Sequence, residues 1–229
     1  MKKSTLIISI CFLIVLLILG VYVKKRYFNP WIRLKDAKEQ ANLLINDNQL
    51  KDGDLIFQTS LSPQSKPIQL ATHSKYSHCG IIYKINNDYM VFEAIQKVKY
   101  TPLIKWIARG EDSHFTIKRL KHADSILTAG KINDMIKAGN HFKGKGYDIY
   151  FEWTDDKIYC SELIWKIYKQ SLGIELGKLQ KLRDFDLSDE RVQNIMKKRY
   201  GDKIPYNETV ISPASIYESN LLETIKEYY

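Results

Sequence analysis

The sequence predicts an α+β domain behind an apolar N-terminal helix. Short β-rich runs bounded by turn residues crowd into residues 54–120, and helical periodicity takes over from residue 124. The 229 residues are 45% hydrophobic, enough for one core. There are no repeats, no low-complexity tracts and no second domain in the pattern, so residues 51–229 read as one unit.

The elements follow in chain order. Residues 6–23 are apolar and flanked by Lys2 and Lys3 on one side and Lys24, Lys25 and Arg26 on the other. Eighteen residues at about 1.5 Å each reach about 27 Å, close to a bilayer core. A cleaved signal peptide wants a shorter apolar region and a small-x-small site, and "LILGVYVKKRY" offers no good one. An uncleaved transmembrane anchor over residues 1–28 is therefore expected, with a cleaved signal as the alternative. Cys11 follows Ile10 in mid-run and makes a poor lipoprotein cysteine. The flanking positive charges nearly balance, so they do not set the orientation. Residues 29–50 have a polar-helical pattern and read as a membrane-proximal helical linker. "DGDLIFQTS" gives a first strand, and "SPQSKPIQLATHSKY" a loop with a short helix. "SHCGIIYKI" and "DYMVFEAI" are two strands joined at Asn86-Asn87, a hairpin signal. "KVKYTPL" is a strand that turns at Pro102, "LIKWIARG" a short helix, and "HFTIKRL" a further strand. "DSILTAGKINDMIKAGN" is helical, with Asp124 as its expected cap. "IYCSELIWKIY" places Leu163, Ile164, Ile167 and Tyr168 at helical spacing, with Asp155 and Asp156 as expected caps and an end near Gly173. Residues 173–205 read as a polar, partly helical excursion. "ETVISPASIYES" gives a strand and a proline-started turn of helix, followed by a tail.

This order puts Cys160 in the first turn of an amphipathic helix, where free N–H groups and the dipole favour a thiolate, the nucleophilic form. A cysteine hydrolase also needs a base and a group that orients the base. Of five histidines, only His78 is embedded in an apolar strand; His73, His114, His122 and His141 lie in loops, strand starts or polar contexts. If Asn86-Asn87 is a two-residue turn, Ile85 faces Asp88 and His78 faces Ile95. Glu93 is then the diagonal neighbour of His78 on the same face, within side-chain reach. A glutamate inside "MVFEAI" calls for a partner, because charged residues are rarely buried unpaired. An exposed-face glutamate and a core histidine are the bland alternatives. Cys79 alternates to the opposite face and reads as a buried apolar residue. Asp54 either caps a turn or lines the cleft. Tyr76, Tyr147 and Trp106 either form an apolar substrate wall or pack in the core. The main-chain N–H of Cys160 is a natural oxyanion donor.

The ordered set "GDLIFQ", "SHCGIIY", "VFEAI", "YCSELIW" and "ISPASIY" resembles the permuted papain-like amidases of the YiiX type, within the NlpC-type cysteine peptidase superfamily. The resemblance spans about residues 50–215. It implies a circularly permuted papain-like fold, with an antiparallel sheet packed on the nucleophile helix. It also implies Cys160 as nucleophile, His78 as base and Glu93 as orienting acid, with cell-wall peptide or another amide or acyl compound as substrate. The small aliphatic residue usual after the histidine is Cys79 here. Residues 173–205 match none of the motifs. Lipid acyltransferases of the superfamily carry Asn-Cys at the nucleophile, where this chain has Tyr159-Cys160, so acyl transfer or ester hydrolysis is the second reading. A catalytically silent membrane-anchored binding module is the third.

No cofactor is implied. The three cysteines, Cys11, Cys79 and Cys160, show no zinc spacing and are too few for a disulfide framework, although a Cys79–Cys160 bridge is conceivable in an oxidising compartment. The net charge of +9 suits an anionic partner such as wall polymer or acidic lipid. The basic runs are short and carry no nucleic-acid motif, so nucleic acid is not an expected partner. An anchored domain with cell-wall substrates is expected outside the cytoplasmic membrane.

Overall fold

The structure, a computed structural model, describes residues 3–24 and 28–229. In chain order its elements are α1 (Lys3–Val23), α2 (Asn29–Asn46), β1 (Leu55–Gln58), α3 (Ser65–Thr72), β2 (His78–Ile85), β3 (Asp88–Ala94) and β4 (Val98–Pro102). Then come α4 (Leu103–Ile107), β5 (Phe115–Leu120), α5 (Ala123–Ile126), α6 (Ala129–Phe142), β6 (Gly146–Tyr147), β7 (Lys157–Ile158) and α7 (Cys160–Leu172). The chain closes with β8 (Gln180–Lys181), α8 (Glu190–Tyr200), β9 (Thr209–Val210), α9 (Pro213–Tyr217) and β10 (Leu222–Tyr228).

Six strands form one sheet in the order β10-β5-β1-β2-β3-β4, and every neighbouring pair is antiparallel. Alternation along the strands feeds two cores. Leu55, Phe57, Cys79, Ile81, Tyr83 and Phe92 join the core on the α7 side, while Ile56, Ile82, Val91 and Ile117 join the core beneath α2 and α4. Both faces being covered, β1 is buried at all four residues. Helix α7 lays Leu163, Ile164, Ile167 and Tyr168 on the sheet with no exposure, each worth about 1.5–3 kcal/mol of burial. It stops at Gly173, whose φ of +71° is left-handed and suits glycine.

Several local expectations are corrected. Asp155 and Asp156 do not cap α7. Its N-cap is Tyr159, whose main-chain N–H donates to Glu162 at 3.4 Å, and Asp155 instead pairs with Lys166 at 2.7 Å. Asp124 does not cap α6 either. Thr128 does, accepting from the N–H of Lys131 at 3.4 Å, while Asp124 pairs with Lys51. The expected tail is the edge strand β10, paired with β5 across a register shift between Thr224 and Lys226. Helix α2, expected as a linker, packs on the body by burying Ala37, Ala41 and Leu44 beside Trp106 and Ile107.

The anchor expected over residues 1–28 falls partly outside the described residues. Among the described residues no helix is long and apolar enough to cross a membrane. In α1 the side chains described are those of residues 10–17 and 19–21, and the bulky apolar ones, such as Phe12 and Leu17, are exposed.

Asp54, at the entry to β1, ties three segments together. Arg119 of β5 donates to its carboxylate at 2.7 and 2.8 Å, the N–H of Lys51 donates at 2.8 Å, and Arg119 also reaches the Gln49 carbonyl. Asp54 has no exposure, so removing its counter-charge leaves a buried carboxylate alone, a loss of about 3–5 kcal/mol. Arg119→Met is expected to lower stability by about that amount, and adding Asp54→Leu to recover part of it. Denaturant titration of the full chain in detergent checks both; a double variant no better than the single one would show that the pair is not the source of the loss.

Candidate active site

The hairpin register is the one a two-residue turn dictates: Ile85 faces Asp88, Ile82 faces Val91 and Ile81 faces Phe92. Extending it by one residue sets Gly80 opposite Glu93. A Cβ at Gly80 would collide with Val91 and crowd the Phe92 carbonyl, so the strand requires glycine there. His78 Nε2 meets Glu93 Oε2 at 2.7 Å. On its other side Glu93 accepts from Thr101 Oγ1 at 2.6 Å and from both contacts of Arg109 Nη2 at 2.8 and 2.7 Å. Thr101 is Glu93's diagonal neighbour on β4, which pairs Glu93 with Lys99 and Val91 with Thr101. Trp106 of α4 stacks on the His78 ring at 5.8 Å and 23°. The imidazole is thus held at one nitrogen and one face, with Nδ1 left over.

Cys160 opens α7 and is 3% exposed. "ISPAS" fixes that first turn. Ser161 Oγ donates to the Ile211 carbonyl at 2.7 Å, and the Ile211 N–H donates to Tyr159 Oη at 3.1 Å. His78 is the first residue of β2, opposite Gln58 of β1, and both it and Cys79 act on the Cys160 sulfur. The Cys160 thiol is held well below its ordinary value. The Cys79 thiol donates to it, and the His78 charge and hydrogen bond and the Cys79 main chain together outweigh burial. Cys79, by contrast, is pushed up by burial and by the neighbouring Cys160, so it stays a thiol and a donor. It is therefore more than a packing residue. Burial alone would lower His78; the Cys160 sulfur and then Glu93 overcome it and bring the ring to about 9. Burial would raise Glu93, but His78 and Arg109 bring it to about 2. At neutral pH these directions give an ion pair of thiolate and imidazolium beside a charged carboxylate.

Two hollows meet at this pair. An apolar cavity opens on Cys160 and runs between α3 and α8, walled by Ile68, Ala71, Leu182, Phe185, Val192, Ile195, Met196 and Ile211. An open cleft lies on the His78 side, lined by Arg33, Leu34, Ser77, Lys105, Arg109 and Lys198 among others. Gln64, Tyr147, Ile195 and Arg199 line both. Arg199 donates to Gln64 Oε1 at 2.8 Å and Gln64 Nε2 donates to Tyr147 Oη at 3.0 Å, so a hydrogen-bonded partition stands where the hollows meet.

Of the other residues expected to bind substrate, only Tyr147 is here. Asp54 lines neither hollow and is consumed by Arg119. Tyr76 also lines neither. It packs against Phe57 and Tyr217, and its hydroxyl bonds to Thr116 and Tyr229. Sequence reasoning missed Arg109, Thr101, Gln64 and Arg199. It also missed α8, although Val192, Ile195, Met196 and Arg199 follow an i, i+3, i+4, i+7 stripe.

A family model described as "Permuted papain-like amidase enzyme, YaeF/YiiX, C92 family" matches residues 49–226. The chain belongs to this family. It is 46% identical over 177 residues to "Uncharacterized protein YiiX" of Escherichia coli K12, covering 77% of this chain and 86% of the relative. It also superposes with a TM-score of 0.76, at 44% identity, on a crystal structure from Escherichia coli O157:H7, covering 79% of this chain and 99% of that one. The family resemblance drawn from the ordered motifs therefore holds, and membership supports a cysteine-hydrolase chemistry. That crystal structure is described as metalloprotein yiiX. In the present chain the residues do not fit a metal: no group of three or more His, Cys, Asp and Glu is placed to hold one among the described residues, and Glu93 is taken up by His78 and Arg109.

The ion pair exists between the pH at which Cys160 loses its proton and the pH, about 9, at which His78 loses its own. kcat/KM is accordingly expected to fall above about pH 9. Glu93→Gln removes a charge that raises His78, so the alkaline limb moves to lower pH. A pH–rate profile checks this, and a limb that does not move would remove Glu93 from the role.

Proposed function

We propose that this protein is a membrane-anchored cysteine hydrolase that cleaves an amide whose acyl part is an apolar chain. The apolar cavity opening on Cys160 carries the reading, because whatever occupies it sits on the acyl side of the nucleophile. Cell-wall peptide would meet few polar partners along those walls, which are almost wholly aliphatic and aromatic.

The Cys160 thiolate attacks the carbonyl carbon. The oxygen takes up charge beside the Cys160 N–H, free at the start of α7. His78, oriented by Glu93, protonates the departing amine from Nδ1. The neutral imidazole then takes a proton from water, and hydroxide attack on the thioester releases the acid and restores the ion pair. Acyl transfer shares the first half; the two differ only in whether water or an alcohol takes the acyl group. Anchoring through residues 1–28, with the domain outside the cytoplasmic membrane, is part of the proposal. Its support is the apolar run and the exposed side chains of α1.

Cys160→Ser and His78→Ala are each expected to lower kcat by about 10⁴-fold or more with the fold intact, and Glu93→Gln by less. A variant retaining near-normal turnover on a validated substrate would break the assignment. Over a series of N-acyl amides, kcat/KM is expected to rise with chain length, and Met196→Trp, which fills the cavity, to shift the optimum to shorter chains. Rates indifferent to chain length would point back to a peptide. Carbonate extraction and protease treatment of protoplasts report on the anchor and its orientation: a soluble chain or a protected domain would overturn that part.

A further inference from the structure

The open cleft on the His78 side has a chemistry of its own. Its lining includes Arg33, Lys105, Arg109, Lys198 and Arg199 and contains no Asp or Glu. Arg109 is neutralised by Glu93. The other four form no ion pair among the described residues: Arg33 donates to the Ala108 carbonyl at 3.2 Å and Arg199 to Gln64. These cations come from three separate elements, α2, α4 and α8, so the basic run of α8 alone does not explain their meeting. Like charges brought together without a counter-ion repel, and the arrangement makes sense when something anionic enters. Asp148, whose charge acts on Arg199, is buried outside the cleft lining and spends its carboxylate on the N–H groups of Tyr150 and Glu152. The cleft is lined by His78, which protonates the departing amine in the reading above, so the leaving part of the substrate faces it.

We infer that the cleft is a subsite for an anionic group, phosphate or carboxylate, carried by the leaving amine. This rests on the amidase reading above and narrows it. The substrate is an amphiphile, with an aliphatic chain on the acyl side of the scissile bond and a negative charge on the other. Leu34, Leu61, Ile149 and Tyr150, all lining the cleft and exposed, give its mouth an apolar margin beside the cations, suited to a molecule of that kind.

The test compares three lauroyl amides on the full chain in neutral detergent, with ethanolamine, phosphoethanolamine or ethylenediamine as the leaving amine. The phosphorylated amide is expected to exceed the neutral one at least tenfold in kcat/KM, mainly through KM, with the cationic one last. Added sodium chloride should shrink the gap. In Lys105→Gln/Lys198→Gln the ratio of phosphorylated to neutral should fall towards one. Equal rates, or a preference for the cation, overturn the inference while leaving the amidase reading standing. Should none of the three turn over, calorimetric binding to Cys160→Ala decides: tighter binding of the phosphorylated ligand supports the subsite, and equal binding overturns it. Inorganic phosphate competing as well as the phosphorylated amide would show a site for free anions and overturn the substrate claim.

Discussion

A carboxylate with no exposure has to be neutralised where it lies, and the active end of this fold is organised around one. Glu93 is fully buried in the middle of the sheet and is met on three sides, by His78, Arg109 and Thr101. Each contact comes from a different element. The hairpin partner strand brings the imidazole, β4 brings the threonine and the end of α4 brings the guanidinium. Two charged partners keep Glu93 ionised at about 2 despite burial, and an ionised Glu93 in turn helps hold the imidazole near 9. That value lets His78 face the Cys160 sulfur as a cation. The thiolate, the imidazolium and the sheet edge that aims them depend on this one group, and buried charges of this kind are costly to leave half-paired.

The same constraint explains what the sequence could disclose. A glutamate among Val91, Phe92 and Ala94 breaks the rule that strand interiors are apolar, and the two asparagines of the turn set the register. His78 and Glu93 could be paired from those two facts alone. Arg109 left no trace, because it stands beyond the end of a short helix and nothing in its neighbours marks it as turned inward. Asp54 and Tyr76 had the right residue types and the wrong places. Polar and aromatic residues next to a motif serve a core as readily as a cleft, and only the observed partners, Arg119 for one and Thr116 for the other, tell them apart. Helix caps failed for a related reason. Aspartates stood at the plausible positions, but lysines held them, and Tyr159 and Thr128 took the ends of the helices.

Cys79 shows strand alternation holding at the start of β2: it lies in the core on the α7 side, while His78 stacks on Trp106 of the other core. Opposite faces separate its side chain from that of His78. At the first residue of the strand, which still pairs with Gln58, that separation holds, and both groups nonetheless bear on the Cys160 sulfur. Burial and the neighbouring Cys160 raise Cys79, whereas the hydrogen bond from Cys79 and then the charge of His78 lower Cys160 against its own burial.

Residues 173–205 read as a polar, partly helical excursion outside the motifs, because their charged residues dominate any average. Averages hide a stripe. Val192, Ile195 and Met196 turn inward from α8, and Leu182 and Phe185 reach the same space from the turn before it, so the segment supplies one wall of the apolar cavity. Its outer side carries Lys198, and Arg199 stands between the two hollows, hydrogen-bonded to Gln64. One helix thereby divides the space beside the nucleophile into an apolar half and a cationic half. A papain-like core of sheet and α7 can make a thiolate and an imidazolium without it. What α8 adds is one wall of the apolar cavity and two of the cations that line the cleft, and the core motifs encode neither.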